Sequence, residues 1–194
     1  MNILFYILFS LFSSNSQNTV DCNSIVKIDN SSYNLNKVKY DDFRNQSKLK
    51  KVNTQIKINN TSIVFNDDLS EENFIEYSII GEDKKGKWLL ISGQDYNQSY
   101  YYLINKEKGN KYKLIGEPKI YDKKIVCIEG SYTDGSAIIE IWNLKSNEIS
   151  LQKSFSLKKC LIYNIQDSYL NENQLYIKNS YEISNCDYYK LKIN

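Results

Sequence analysis

Two loops carry the side chains best suited to chemistry. Asp95 stands beside Tyr96, and Asp134 lies two residues after Tyr132. Each pair follows an apolar segment that ends near a glycine, Gly93 or Gly130. A carboxylate next to an aromatic ring is the combination from which sugar-binding sites and glycosidases are built. The ring stacks on the sugar's CH face, and the carboxylate accepts hydroxyls or handles a proton. Asp95, Tyr96, Tyr132 and Asp134 are therefore the candidate binding residues, and no residue is assigned a catalytic role. Turn chemistry alone also accounts for Asp134-Gly135, with Asp initiating a turn and Gly taking the left-handed position. The adjacent carboxylates Asp41-Asp42, Asp67-Asp68, Glu71-Glu72 and Glu82-Asp83 sit in hydrophilic stretches and read as solvated charge.

What is missing narrows the chemistry further. The chain has no histidine, so no Ser-His-Asp relay and no His-ligated metal can form. Acid–base work would fall to carboxylates, Lys or Tyr. The seven glycines are scattered and form no phosphate-binding loop. The stretch DDLSEEN at 67–73 lacks the alternating oxygen ligands of a calcium loop. No cofactor and no metal are expected. Lys+Arg at 25 nearly balances Asp+Glu at 23, and Arg44 is the single arginine. Nucleic-acid partners are not expected, because phosphate recognition favours clustered basic residues and Arg in particular.

Residues 3–12, ILFYILFSLF, form an apolar run shorter than the roughly 20 residues a membrane span needs. Small polar residues follow, and Ser14-x-Ser16 fits a signal-peptidase site. The expectation is a signal peptide over 1–16, a single domain over 17–194, and a secreted or periplasmic location with no membrane span. The four cysteines, Cys22, Cys127, Cys160 and Cys186, all follow the expected cleavage point and include no C-x-x-C. An even number in an oxidising compartment permits two disulfides in three pairings. Asn30, Asn45, Asn59, Asn60 and Asn97 each begin an N-x-S/T sequon, a pattern that an Asn-rich chain produces by chance.

The elements that would position these loops read as β-strands. Turn signals such as Asn66-Asp67-Asp68, Lys108-Gly109-Asn110 and Ser146-Asn147 separate segments rich in Ile, Val and Tyr. Strands are expected at 88–92, 100–104, 112–115, 125–128, 137–142 and 149–155. Residues 41–51 read as loop or one short turn. Residues 87–105 and 124–143 are mutually similar: Gly93 aligns with Gly130 and Asn105 with Asn143, at offsets of 37 and 38. A looser copy covers 175–194 and a fainter one 58–82, whose tail SIIGE echoes KLIGE at 113–117. Near-continuous apolar runs imply cover on both faces of each sheet. In the Tyr100-Tyr101-Tyr102 run, alternation turns Tyr101 away from its neighbours. Trp88 and Trp142 read as packing residues. The Lys doublets at 50–51, 84–85, 123–124 and 158–159 read as guards of strand edges.

Residues 129–155, EGSYTDGSAIIEIWNLKSNEISLQKSF, resemble the second half of a WD-repeat blade, with Gly130, Asp134, Gly135, Trp142 and Asn143 in the corresponding places. The departures are the absent Gly-His dipeptide, a single Trp-bearing copy, and about four units against the family's usual seven or so. The resemblance implies an all-β, antiparallel, propeller-like arrangement of about four blade-like units; a β-sandwich or open meander is the alternative. If such a ring closes, Ile25-Val26-Lys27-Ile28 would supply the last unit's outer strand. Cys22 would then approach Cys186, leaving Cys127 for Cys160. The function expected is an exported, non-enzymatic binding module for a protein or surface glycan. The alternatives are a carboxylate-based glycosidase using the Asp95 and Asp134 loops, or an inhibitor of a secreted enzyme.

Overall fold

The structure is a computed structural model that describes residues 18–193 except 42, 44–46, 60, 131–136, 163 and 183–184. The expected signal peptide, Tyr132 and Asp134 therefore lie outside the described residues. The fold is all-β. In chain order the elements are β1 (Asn18–Thr19), β2 (Ile25–Ile28), the short helix α1 (Asn30–Leu35), β3 (Gln55–Lys57), β4 (Val64–Asn66) and β5 (Glu76–Glu82). β6 (Trp88–Gln94), β7 (Ser99–Asn105), β8 (Asn110–Leu114), β9 (Lys119–Tyr121) and β10 (Lys124–Gly130) follow. The chain then forms β11 (Ala137–Leu144), β12 (Ile149–Ser156), β13 (Ile165–Asn171), β14 (Gln174–Glu182) and β15 (Asn185–Lys192).

Four sheets result. β5-β6-β7-β8 is an antiparallel meander, and β9-β10-β11-β12 is a second, with β1 added in parallel at its β12 edge. β13-β14-β15 is completed by the N-terminal strand β2, and β3-β4 is a separate hairpin. No barrel closes among the described strands. The six strands expected from the pattern all form, with ends moved by one or two residues.

Alternation along each strand explains how the sheets stack. Leu89, Ile91 and Ile104 face the hairpin residues Ile56, Ile58 and Phe65. Trp88, Leu90 and Leu103 face the other way, onto Ile120, Ile125, Cys127 and Ile149 of the second meander. That meander turns Val126, Ile139, Ile141 and Phe155 onto Leu170, Leu175 and Ile177 of the C-terminal sheet. Leu89, Leu90 and Ile91 are consecutive and all at most 1% exposed. Such a run has no amphipathic alternation because both faces are covered. Trp88 and Trp142 both pack in the interior between the two meanders.

The stack is capped and strapped by the N-terminal part of the chain. Asp29 caps α1, accepting a hydrogen bond from the Ser32 amide at 2.7 Å. The helix buries Tyr33, whose ring centroid lies 4.9 Å from that of Tyr169 and 5.0 Å from that of Tyr188. The chain then crosses the edge strands β13, β9 and β5 in turn. Asn171 Nδ2 donates to the Asn36 carbonyl at 3.2 Å. Asp41 and Ile120 exchange backbone bonds of 2.9 and 3.2 Å. Lys51 Nζ donates to the Tyr77 carbonyl at 2.8 Å and pairs with Asp67 at 2.5 Å. The described part of 41–51 forms no helix, as expected, but it ties β9 to β5, and Asn36 before it reaches β13.

Several expectations need correction. The disulfide is Cys22–Cys160, while Cys127 and Cys186 are free. β2 does complete the last sheet, but its register sets Ile25 opposite Leu191 and Ile28 opposite Tyr188. Cys22 therefore lies off the Leu191 end and Cys186 off the Tyr188 end. Cys127 cannot reach Cys160, because it points into the interior between the two meanders, whereas Cys160 packs against the core on the opposite face. The echo of SIIGE in KLIGE is not structural: residues 78–82 lie within β5, and residues 113–117 straddle the end of β8. Asp67 and Glu82 are not solvated surface charges. The Asp67 side chain is 4% exposed, and Glu82 accepts from Ser47 and pairs with Lys106 at 2.7 Å.

Candidate functional site

Asp95 opens the turn between β6 and β7. Its Oδ1 accepts the backbone amides of Asn97 and Gln98 at 2.7 and 2.8 Å, an Asx turn that fixes the loop. Its Oδ2 accepts the hydroxyl of Tyr100, and Gln98 Nε2 donates to that same hydroxyl. The Tyr100 hydroxyl and the two amides hold the Asp95 carboxyl below the usual carboxylate range. The same Asp95 contact raises the Tyr100 phenol. Asp95 is thus an ionised, locked acceptor, which suits binding and disfavours a role as proton donor.

The sheet supplies the floor. Alternation puts Tyr100 and Tyr102 on one face of β7 and Tyr101 on the other, where Tyr101 packs with Trp88 and Leu103. Gly93 lies opposite Tyr100 in the ladder and opposite Tyr77 on its other side. A Cβ on Gly93 would come within 2.8 Å of the Tyr77 ring, so the glycine lets that ring lie across the strand. Lys113 of β8 reaches back over the same face, with Nζ 3.9 Å from the Tyr100 ring centroid.

The wall comes from the β4–β5 connection. Asp68 exchanges backbone hydrogen bonds with Ile75 at 2.7 and 2.9 Å, closing the loop between them. That loop presents Phe74, whose ring lies 5.0 Å from Tyr96 at 33°. Tyr96 remains 64% exposed. Between floor and wall is an open cleft of about 430 Å³, lined also by Glu72, Asn73 and Asn97. It offers two rings set as a ledge, two carboxylates, two primary amides and one ammonium. Such a set can grip a ligand with an apolar face and polar edges.

Of the four sequence-based candidates, Asp95 and Tyr96 therefore lie in one cleft, and Tyr132 and Asp134 lie outside the described residues. Phe74, Tyr100 and Lys113 were not anticipated as site residues. Phe74 carried a faint signal, a lone aromatic in the polar run DDLSEEN-F. Two other clefts open beside the turn at Asp122, but their aromatic residues Trp88 and Tyr121 are buried. No group of three or more Cys, Asp or Glu among the described residues could hold a metal ion. No helix among the described residues is long and apolar enough to cross a membrane. Comparison with protein-family models, with curated proteins and with solved structures gives no match.

Proposed function

We propose that this chain is an exported, non-enzymatic binding module that takes a surface glycan in the Asp95–Tyr96 cleft. The observation that carries the reading is the exposed Tyr96–Phe74 ledge beside a carboxylate already locked in its ionised form. An exposed aromatic pair offers a stacking platform for a sugar ring at little conformational cost. Asn73, Asn97 and Glu72 supply hydrogen-bonding groups at its margin. A binding role is favoured over a glycosidase because three protein donors already hold the Asp95 carboxylate, leaving Oδ2 a place for a ligand donor, and its carboxyl is shifted toward the ionised form. Glu72 is the other carboxylate lining the cleft.

The scaffold reading is propeller-like, with the two meanders, the C-terminal sheet and the β3-β4 hairpin as about four blade-like units. Its support is the face-to-face stacking and the completion of the last sheet by an N-terminal strand. In place of a closed ring, the hairpin covers one end and α1 the other. Export is supported by the apolar run at 3–12 and by the Cys22–Cys160 disulfide, which an oxidising compartment favours.

The reading is tested by probing a panel of immobilised oligosaccharides with the wild-type chain and with Tyr96→Ala. Wild type is expected to retain a subset of the glycans. The variant is expected to lose about tenfold in affinity for that subset, equivalent to ~1.4 kcal/mol. Retention of no glycan by wild type, or equal retention by both proteins, contradicts the proposal.

A further inference from the structure

We infer that the glycan is one bearing free amines, an amino sugar rather than a neutral or acidic one, and that Lys113 stands where the ligand's ammonium would bind. The inference rests on the saccharide reading of the same cleft. The Lys113 ammonium stands 3.9 Å from the Tyr100 ring centroid, within the range where an aromatic face attracts a cation. Its neighbour Lys111 reaches inward in the same way, 5.3 Å from Phe65 and 5.5 Å from Tyr102. The tyrosine face of this sheet is thus already a cation surface, served from within.

Lys113 makes no ion pair among the described residues, although Asp95 and Glu72 line the same cleft. The two carboxylates exceed the one ammonium by a unit of charge. The ammonium sits on a four-carbon stem that can swing to solvent without disturbing the β8 backbone. Lys113 is therefore a displaceable occupant. A ligand ammonium can take its place over Tyr100 while the sugar ring rests on Tyr96 and Phe74. An acidic sugar would meet two carboxylates, and an N-acetylated sugar would have no charge to exchange.

The test is calorimetric titration of the full chain at pH 6 and low salt with a glucosamine tetramer, with the N-acetylglucosamine tetramer, and with choline. The amine tetramer is expected to bind at least about tenfold more tightly than its acetylated counterpart. Lys113→Met is expected to tighten the amine tetramer about threefold or more, and Glu72→Gln to weaken it. Equal binding of the two tetramers, or weaker amine binding in Lys113→Met, overturns the inference and leaves the saccharide reading standing. Binding of choline with neither tetramer bound overturns both, in favour of a small ammonium ligand. Binding of none of the three overturns the amine inference, and the glycan panel then decides the saccharide reading separately.

Discussion

At the scale of the residue, the site depends on how each polar group is held. Asp95 was legible in the sequence because its loop has the composition of a turn and a sugar contact at once. Tyr96 was legible beside it. Phe74 and Lys113 were not, because they come from segments about 20 residues to either side and meet Asp95 only through the β5–β8 meander. Buried carboxylates were equally opaque. Glu140 lies on the face between the two meanders and accepts from the Trp142 indole at 3.0 Å. Burial pushes its carboxyl up, against the opposing effect of the Trp142 and Ile115 donors. A carboxyl raised by folding keeps its proton to a higher pH than the unfolded chain does, so its ionised form costs stability at neutral pH. Glu140→Gln keeps an acceptor for Trp142 and removes the charge. It is expected to be more stable than wild type at pH 7, with the gap shrinking as pH falls from the raised folded value toward 4.5, the ordinary value for this group, and absent below it. Urea denaturation at pH 7 and pH 4 measures this. A less stable variant at pH 7, or a gap that widens in acid, contradicts it.

At the scale of the element, the apolar runs of β6, β7, β10, β11 and β12 announced themselves, and so did the β-branched residues of β2. The edge strand β9 has three residues, Lys119–Tyr121, too few for any period to register. α1 has six, and its one strong signal is Asp29 followed by Ser31 and Ser32. Register was the larger loss. A strand's composition says that it pairs, not at which offset, and the offset of β2 on β15 is what separates Cys22 from Cys186. The disulfide that does form closes a sequence separation of 138 residues and fastens the segment before β2 to the turn at Lys158–Cys160. β2 is held in its sheet by one neighbour, and β1 pairs over two residues. The double substitution Cys22→Ser with Cys160→Ser is therefore expected to destabilise the fold by about 2–5 kcal/mol. Amides of Ile25–Ile28 should exchange first in hydrogen exchange, before those of β6 and β10. Unchanged stability, or earliest exchange in the central strands, would contradict the anchoring role.

At the scale of the whole molecule, the fold class was legible and the assembly of the sheets was not. Short strands at regular spacing with doubly covered faces read as all-β, and the chain folds so. Residues 41–51 read as loop because their ties are isolated: Asp41 bonds to β9, Phe43 is buried with Trp88 and Ile120, and Lys51 donates to β5. Single anchors with no regular spacing leave no period for composition to show. The consequence for function is rigidity. The cleft floor is a sheet packed on both faces, and its wall is a loop closed by backbone bonds, so the rings and the carboxylate hold their spacing without a ligand. Two-dimensional amide spectra of the isotopically labelled chain, recorded during titration with a glycan retained from the panel, probe this most directly. The account predicts perturbations confined to Glu72–Ile75, Asp95–Tyr100 and Lys113, with the β10, β11 and β14 amides unmoved. Perturbations centred on the turn at Asp122, or spread through the central strands, would contradict it.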